Sequence, residues 1–318
     1  MKYIKDLGEG GRISDIYYCK SKTVASTKNG KTYYSVVLQD KTGTLDCKIW
    51  EPNSSAIGEF EAQDYIDVVG EVSIYNGSLQ AAIKRLRVAD ETEYTKSDYV
   101  PSSRYSNDSM YDGILKFANM VENPYYKRLL DMFFVEDEKF IKLFRESSAA
   151  KSIHHGFVGG LLEHTLGVVR ICQVYTKAYP FLNKDLLLTA AIFHDIGKVR
   201  EISLFPQNDY TDEGQFLGHI YIGTEMIHEA CQKIDGFPIL LENQLKHCIL
   251  AHHGELEYGS PKKPELAEAV ALSLADLTDA RMESFREAVE AAPMKEDWLG
   301  FNKIFDSNIR KTTIDQEK

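Results

Sequence analysis

The sequence predicts two domains, a small all-β domain followed by a larger all-α domain. Its 318 residues are about twice the length of an average domain of roughly 150 residues. Apolar and polar residues alternate through much of the first ninety positions, whereas from Ser109 onward apolar residues recur every three or four positions. All nine histidines lie between His154 and His253. Any chemistry that depends on imidazole therefore belongs to the second domain.

Composition excludes several classes of protein. Hydrophobic residues make up 43% and charged residues 27% of the chain, which is typical of a globular protein and not of a disordered one. The apolar stretch Leu186–Phe193 is much shorter than the roughly 20 residues of a membrane span, and no apolar segment of a signal peptide follows Met1. Five scattered cysteines without a C-x-x-C pair argue against a disulfide scaffold or a cysteine-bound zinc, and favour the cytoplasm.

Charge is divided unevenly between the two predicted domains. Residues 1–89 carry 12 basic and 11 acidic side chains, whereas the remainder carries 25 basic and 37 acidic ones, within a total net charge of −11. The first domain can therefore approach a polyanion without strong repulsion. The second domain is acidic, so it needs a local source of positive charge, such as bound metal ions, to bind a polyanion.

The first domain has the pattern of an OB-fold barrel, since five strands are predicted with a helical insert, Pro52–Gln63, between the third and the fourth. Asn-Gly pairs mark two hairpin turns, at Asn29-Gly30 and Asn76-Gly77. The predicted strands are Ile13–Ala25, Thr32–Gln39, Leu45–Trp50, Tyr65–Tyr75 and Leu79–Val88.

Alternation in the second and third strands separates a core face from an outer face. The residues predicted to face the core are Tyr34, Val36, Leu38, Cys47 and Ile49. Tyr33, Lys48 and Trp50 then point outward, with Lys31 close by, and we predict that they bind a single-stranded nucleic acid by stacking and charge. The alternative is that these aromatic rings pack on the neighbouring domain.

The second domain is predicted to be all-α, after a polar linker at residues 90–108. We predict domain limits of 1–89 and 109–305, and a fraying tail at 306–318. Beyond two helices before residue 135, helical periodicity covers 137–150, 160–179, 184–197, 217–234, 239–252, 264–291 and 296–305.

Histidines and aspartates recur at or near the ends of these predicted helices. They are His164, His194, Asp195, His219, His252, His253 and Asp276. Imidazole and carboxylate together suit manganese, iron, cobalt, nickel or zinc. Asp195 can bridge two ions because a carboxylate has two oxygens, and Gly197 is predicted to end the helix beside it. His228 and His247 are interpreted as hydrogen-bonded core residues.

This order of residues resembles the HD superfamily of metal-dependent phosphohydrolases over residues 151–280. The local sequences AKSIHH (150–155), GGLLEHT (159–165), HDIGK (194–198) and HHG (252–254) resemble one branch more narrowly, the YhaM-type 3′-to-5′ exoribonucleases, whose members carry an N-terminal OB-fold. The resemblance implies that one metal is held by His164, His194, Asp195 and Asp276. It implies that a second is held by Asp195, His219 and either His252 or His253.

The resemblance also implies roles for residues around the metals. Lys198 is expected to hold a phosphate oxygen and to act with Asp195 in catalysis, and Asp279 to support a ligand or the fold. His154 and His155 are expected to line the substrate cleft. Lys262 and Lys263 are candidates for phosphate contacts, although a solvated loop is the alternative. Gly160 stands where some three-metal relatives have glutamate, and no Gly-Tyr-Pro follows His253, which argues against a cyclic-dinucleotide phosphodiesterase.

The predicted function is metal-dependent 3′-to-5′ hydrolysis of single-stranded RNA, with single-stranded DNA left open as a second substrate. A metal lowers the pKa of bound water to about 7, and a pair of ions clamps the phosphate. We expect two divalent ions, manganese foremost, and leave a homo-oligomer open. The alternatives are a phosphohydrolase acting on small nucleotides and a non-catalytic single-strand-binding regulator. The polarity of digestion comes from the resemblance alone.

Overall fold

The structure, a computed structural model, describes residues 1–151, 156–291 and 297–312. The chain divides into two compact units. One comprises residues 1–102 with 204–208, and the other comprises residues 103–203 with those from 209 onward.

The first unit is a closed barrel of five strands, as predicted. Its strands are β1 (Arg12–Ser26), β2 (Thr32–Asp40), β3 (Gly43–Ile49), β4 (Tyr65–Tyr75) and β5 (Ser78–Val88). They follow the order β1-β2-β3-β5-β4, and β4 pairs with β1 to close the barrel. The contact of β3 with β5 is parallel, and the other neighbours are antiparallel. A short 3-10 helix, Ile4–Asp6, precedes β1.

Alternation along β2 and β3 sets the barrel core as predicted. Val36 pairs with Cys47, and Tyr34 pairs with Ile49. Val36, Cys47 and Ile49 are fully buried, while Tyr34 packs at the edge of the same core. Because side chains alternate along a strand, this register turns the intervening residues to the outer face.

The helix predicted at Pro52–Gln63 is wrong. Turns fill this segment, and Ile57 forms an isolated bridge with Leu86 of β5. The physical reason is local competition for backbone groups, since Ser54 Oγ accepts a hydrogen bond from the Ala56 amide at 3.3 Å. Phe60, which is buried against the barrel core, anchors the segment.

Residues after β5 continue to pack on the barrel. The rings of Tyr94 and Tyr65 stack with centroids 3.9 Å apart, and Tyr99 meets Tyr65 edge-on at 5.0 Å. Gln39, itself buried, donates from its amide to the Tyr99 carbonyl at 3.1 Å. A 3-10 turn, Lys96–Asp98, lies between these tyrosines. The barrel unit therefore extends beyond its last strand.

The second unit is built from helices packed around a central pair, α4 and α5. The helices are α1 (Asn107–Ala118), α2 (Pro124–Asp131), α3 (Glu138–Glu146), α4 (Gly160–Ala178), α5 (Lys184–Phe193), α6 (Lys198–Glu201), α7 (Asp212–Cys231), α8 (Ile239–Leu250) and α9 (Ala267–Ala291). A π-helical turn, Met132–Glu136, follows α2, and a 3-10 turn, Leu256–Tyr258, follows α8. Helix α4 packs against α1, α5 and α9, and α5 also packs against α8 and α9.

Helix α5 lies at the centre of this unit because its sequence is apolar on every side. All residues of Leu186–Phe193 are buried, as expected for a helix surrounded by others. The Asn183 side chain caps its N-terminus by accepting from the Leu186 amide. Within the described ranges, no helix has the length and apolar character needed to cross a membrane.

The helix predicted at 296–305 is also wrong where the structure describes it. An antiparallel hairpin occupies this part of the chain, with β6 at Trp298–Asn302 and β7 at Ser307–Arg310. Gly300 and Asp306 adopt positive φ angles of 78° and 47°, which a helix does not accommodate. Part of the predicted tail is therefore β7.

Candidate functional site

His194 and Asp195 emerge from the buried end of α5. Phe193 is the last residue of that helix, and His194 and Asp195 in the following turn are 0% and 2% exposed. Both side chains are therefore held inside the unit by the rigid helix that precedes them.

Gly197 was predicted to end the helix beside Asp195, and this explanation for a glycine at position 197 is wrong. Its φ and ψ of −62° and −20° are helical, so it does not end α5 through a left-handed conformation. A Cβ at this position would instead lie 2.0 Å from the His219 carbonyl oxygen and 2.7 Å from the Gly223 amide nitrogen. Glycine is needed because the backbone of α7 approaches the His194-Asp195 turn this closely. The same approach places His219 beside Asp195.

Three predicted ligands from α4, the α5 turn and α9 form a first group. The Nε2 atoms of His164 and His194 are 3.2 Å apart, and Asp276 Oδ1 lies 3.1 Å from His164 Nε2 and 4.0 Å from His194 Nε2. Two ligand atoms that each lie 2.0–2.1 Å from an ion are separated by roughly 2.8–3.4 Å when they are neighbours in tetrahedral or octahedral geometry, and by roughly 4.0–4.2 Å when they are opposite each other in octahedral geometry. The spacing of this group fits a divalent cation.

A second group joins α7 to the turn after α8. His219, His252 and His253 each offer a ring nitrogen within 4.8 Å of the others. His252 is fully buried, whereas His219 and His253 are partly buried. The sequence left open which of His252 and His253 takes part, and the structure brings both to this group.

Asp195 lies between the two groups. Its Oδ2 atom is 3.5 Å from His164 Nε2 and 3.4 Å from His194 Nε2. Its Oδ1 atom is 3.3 Å from His219 Nε2 and 3.6 Å from His252 Nε2. Each carboxylate oxygen thus faces a different histidine group, which is the arrangement of a bridging ligand.

Three buried polar atoms at this point lack a hydrogen-bond partner among the described residues. They are Asp195 Oδ1, His219 Nε2 and His252 Nε2. An unsatisfied buried polar group costs about 1–3 kcal/mol. All three atoms are good metal ligands and converge on one point, so the residues present fit a bound divalent cation.

Every histidine in the two groups is oriented by a contact at its Nδ1 atom. If Nδ1–H donates, the tautomer is fixed and the Nε2 lone pair faces the centre. The acceptors are Asp279 Oδ2 for His164 (2.8 Å), Ala191 O for His194 (2.8 Å), Glu201 Oε1 for His219 (3.0 Å), Ile249 O for His252 (2.7 Å) and Tyr258 O for His253 (2.8 Å).

Glu201 was missed by the sequence reasoning. Residues 200–230 hold several glutamates, and no local pattern distinguishes the one that contacts His219. A weak signal was available, because Glu201 follows Lys198 by one helical turn and therefore lies on the side of α6 that carries Lys198.

Lys198 forms a buried ion pair with Asp195. Its Nζ atom donates to Asp195 Oδ2 at 2.6 Å. Burial raises the pKa of Asp195, but Lys198 and His194 more than offset this and hold that pKa well below its usual range. Burial likewise lowers the pKa of Lys198, and Asp195 more than offsets it. Asp195 is therefore ionised at neutral pH, while the expected contact of Lys198 with phosphate stays a prediction.

In the first group, two neighbouring carboxylates favour the protonated form of His164. Burial lowers the pKa of His164, but Asp276 and Asp279 more than offset this and raise it to about 10. In the second group, burial lowers the pKa of both His252 and His253. Because a ligand must lose its proton to bind a cation, His164 would have to give up its proton to hold a metal at the first group.

The predicted stacking residues of the barrel lie together on its outer face. The ring centroids of Tyr33 and Trp50 are 4.9 Å apart with planes 37° from parallel, and Trp50 is 45% exposed. Lys48 Nζ lies 6.0 Å from the Tyr33 ring centroid and donates to Ser35 Oγ. Lys31 is exposed and forms an ion pair with Glu51. These side chains form a surface on which an unpaired base can stack.

The remaining predicted contacts have other surroundings. His154 and His155 lie outside the described residues. Lys262 pairs with Glu265 at 3.0 Å and Lys263 pairs with Glu255 at 2.7 Å, and all four side chains are more than half exposed. Exposed pairs contribute little to stability, and a phosphate contact by these lysines stays a prediction.

Comparison with known families covers both units. Residues 161–281 match the HD domain family, and residues 10–89 match the family described as the OB-fold nucleic acid binding domain. The chain joins an OB-fold domain to an HD domain. A solved structure, the second OB-fold domain of replication protein A from Methanococcus maripaludis, is 24% identical over 28% of this chain and 95% of that chain, with a TM-score of 0.21.

Both metal-ligand groups and Asp195 fall within the residues that match the HD domain. An HD domain indicates a metal-dependent phosphohydrolase, and its donors here can hold divalent ions. Together with an OB-fold domain of the nucleic-acid-binding class, it supports a hydrolase that processes nucleic acids.

Proposed function

We propose that this protein is a metal-dependent 3′-to-5′ exoribonuclease that hydrolyses single-stranded RNA. The observation that carries the proposal is the position of Asp195, whose two oxygens face two separate histidine groups. The OB-fold domain in the same chain supports a polymeric substrate. The polarity and the preference for RNA rest on the resemblance to YhaM-type enzymes, and single-stranded DNA is a second candidate substrate.

The HD domain would bind two divalent ions. One would be held by His164, His194, Asp195 and Asp276, and the other by Asp195 and the group of His219, His252 and His253. Bound divalent ions supply Lewis acidity toward phosphate oxygens and a nucleophilic water near neutral pH. Nitrogen and oxygen donors favour manganese, iron, cobalt, nickel or zinc, and we propose manganese.

The side chains of this site are held in position before a substrate binds. Lys198 keeps Asp195 ionised, so the bridging position always carries negative charge. Contacts at Nδ1 hold the five imidazoles with Nε2 inward. Burial of His194, Asp195 and His252 limits access of water and strengthens their electrostatic interactions. Little reorganisation is then needed during the reaction.

The OB-fold domain would capture the strand through the surface of Tyr33, Lys48 and Trp50. Stacking tolerates any base, because every base has a π-face. The barrel carries nearly balanced charge, so its own affinity would be modest and sensitive to salt. Linking it to the hydrolase would raise the local concentration of long substrates above that of short ones.

Single-stranded RNA labelled at its 5′ end tests the proposal directly. With Mn²⁺ we expect a ladder that shortens stepwise from the 3′ end, and EDTA should stop it. A 3′-labelled copy should release labelled mononucleotide first. Hydrolysis of mononucleotides with an untouched oligomer would instead indicate a nucleotide phosphohydrolase. Binding of RNA without cleavage in any divalent metal would indicate a regulator.

Removing either ring of the stacking surface is expected to weaken the capture of long substrates. Tyr33→Ala and Trp50→Ala should each raise KM on a long oligonucleotide by roughly 5- to 160-fold, since stacking contributes about 1–3 kcal/mol per base. The value of kcat should change little, because a contact with a base that takes no part in the reaction stabilises ground and transition states equally. Steady-state kinetics on long and dinucleotide substrates measure both.

Phe181→Ala is the matched control, because Phe181 is an aromatic residue that is 75% exposed and lies outside the barrel, between α4 and α5. It should leave KM unchanged. An unchanged KM in the Tyr33 and Trp50 variants, with unchanged melting temperatures, would refute the stacking role. A large fall in melting temperature would show instead that the two rings serve packing.

A further inference from the structure

Glu201 is a buried carboxylate that contacts one of the candidate ligands, His219. It ends α6 and is 8% exposed. Its Oε1 atom accepts from the His219 backbone amide at 2.9 Å and lies 3.0 Å from His219 Nδ1. One carboxylate oxygen of Glu201 therefore contacts both the backbone amide and the ring of His219.

The backbone of α7 is shaped to permit this double contact. Gly218 has φ 72° and ψ 152°, which interrupts the helix immediately before His219. The His219 amide is consequently turned toward α6 and donates to Glu201. Because the amide and the ring are both fixed, the His219 ring is held with Nε2 3.3 Å from Asp195 Oδ1.

The other two histidines of this group contact neutral acceptors. Main-chain carbonyls accept from them, Ile249 O for His252 and Tyr258 O for His253. Among the described residues, Glu201 is thus the carboxylate that backs the second group. A carboxylate behind a ligating imidazole raises the basicity of the ligand as well as orienting it, which a neutral carbonyl does less strongly.

The first group has the same arrangement, with one histidine backed by a carboxylate and another by a main-chain carbonyl. Asp279 Oδ2 lies 2.8 Å from His164 Nδ1, while His194 is backed by the Ala191 carbonyl. Each group therefore contains one histidine with a carboxylate behind it. The two carboxylates lie on different helices, α6 and α9, and contact different ligands, so a change at one leaves the other intact.

We propose that Glu201 is a positioning residue that sets the affinity of the ion at the His219 group and leaves that of the other ion unchanged. This inference rests on the two-ion site of the proposed function. It predicts that the two ions are held with independently adjustable affinities. Loss of a carboxylate behind a ligand typically costs about 10- to 100-fold in metal affinity.

Calorimetric titration of Mn²⁺ into the full-length, metal-stripped protein tests this without measuring activity. Wild type should bind two ions. Glu201→Gln keeps an oxygen acceptor but removes the charge, and it should weaken one binding step by about 10-fold. Glu201→Ala should weaken the same step by up to about 100-fold, with the other step within twofold of wild type.

Two variants act as matched controls. Asp279→Asn should weaken the opposite step, which assigns each step to its histidine group. Glu213→Gln removes a nearby carboxylate that pairs with Arg200 and not with a histidine, and it should leave both steps unchanged. As a kinetic check, excess Mn²⁺ should restore kcat in Glu201→Gln, and the activation constant for Mn²⁺ should rise about 10-fold.

The possible outcomes separate this inference from the proposed function. Two unchanged steps in Glu201→Gln and Glu201→Ala would overturn it while leaving the two-ion site standing. Equal weakening of both steps, with a lower melting temperature of the metal-stripped variants, would also overturn it, because Glu201 would then be purely structural. A wild type that binds fewer than two ions would contradict the two-ion site itself and this inference with it.

Discussion

Replacing Asp195 with asparagine is expected to abolish hydrolysis while the HD domain remains folded. An amide has one oxygen and no charge, so it cannot present an anionic oxygen to each histidine group as Asp195 does. Loss of several kcal/mol of charge stabilisation in the transition state corresponds to a fall in kcat of roughly 10³-fold or more. Steady-state turnover of single-stranded RNA at saturating Mn²⁺ measures the loss.

The fold should survive because asparagine matches the volume of aspartate and its amide oxygen can accept from Lys198. Breaking a buried ion pair still costs stability, up to about 3–5 kcal/mol. The double variant Asp195→Asn with Lys198→Met removes both charges, and it should recover part of that stability without any activity. Asp112→Asn, at an exposed position on α1, is the matched control and should behave as wild type.

Activity above about one per cent of wild type in Asp195→Asn would contradict the bridging role. If the single variant fails to fold, the double variant carries the test, because it lacks the uncompensated Lys198 charge. An active double variant would then count equally against the role. Circular dichroism and a thermal melt of each variant identify which case applies.

The sequence was sufficient to predict features that repeat with a short period. The alternate positions of Tyr34, Val36 and Leu38 in β2 predicted which side chains face the barrel core. The run Leu186–Phe193, which is apolar except for Thr189, likewise predicted the helix that leads to His194. Such patterns reflect burial directly, and burial decides the fold.

Contacts that depend on tertiary approach could not be predicted in this way. Glu201 meets His219 only because α7 kinks at Gly218 and folds back on α6. The segment Pro52–Gln63 has some helical spacing, but side chains such as Ser54 bond the local backbone and favour turns. In each case a particular contact outweighs the periodicity, and the contact becomes visible only once the chain is folded.

Adding one methyl group at Gly197 is expected to lower both the stability of the HD domain and its activity. In Gly197→Ala the new Cβ would lie 2.0 Å from the His219 carbonyl oxygen and 2.7 Å from the Gly223 amide nitrogen. Both are backbone atoms, so no side chain can rotate away, and α7 must move. Such overpacking typically costs about 1–3 kcal/mol, and occasionally more.

The movement would withdraw His219 from Asp195, so Gly197→Ala should lose stability and activity together, with kcat reduced about 100-fold for a displacement near 1 Å. Gly223→Ala is the comparison, because its Cβ would lie 3.2 Å from the Gly197 amide nitrogen and 3.5 Å from a side-chain carbon of Ile196. It should be affected far less. Urea denaturation of the metal-stripped variants and turnover at saturating Mn²⁺ measure the two effects separately. Equal behaviour of the two variants would show that α7 can shift freely, and that close packing at Gly197 does not hold His219 in place.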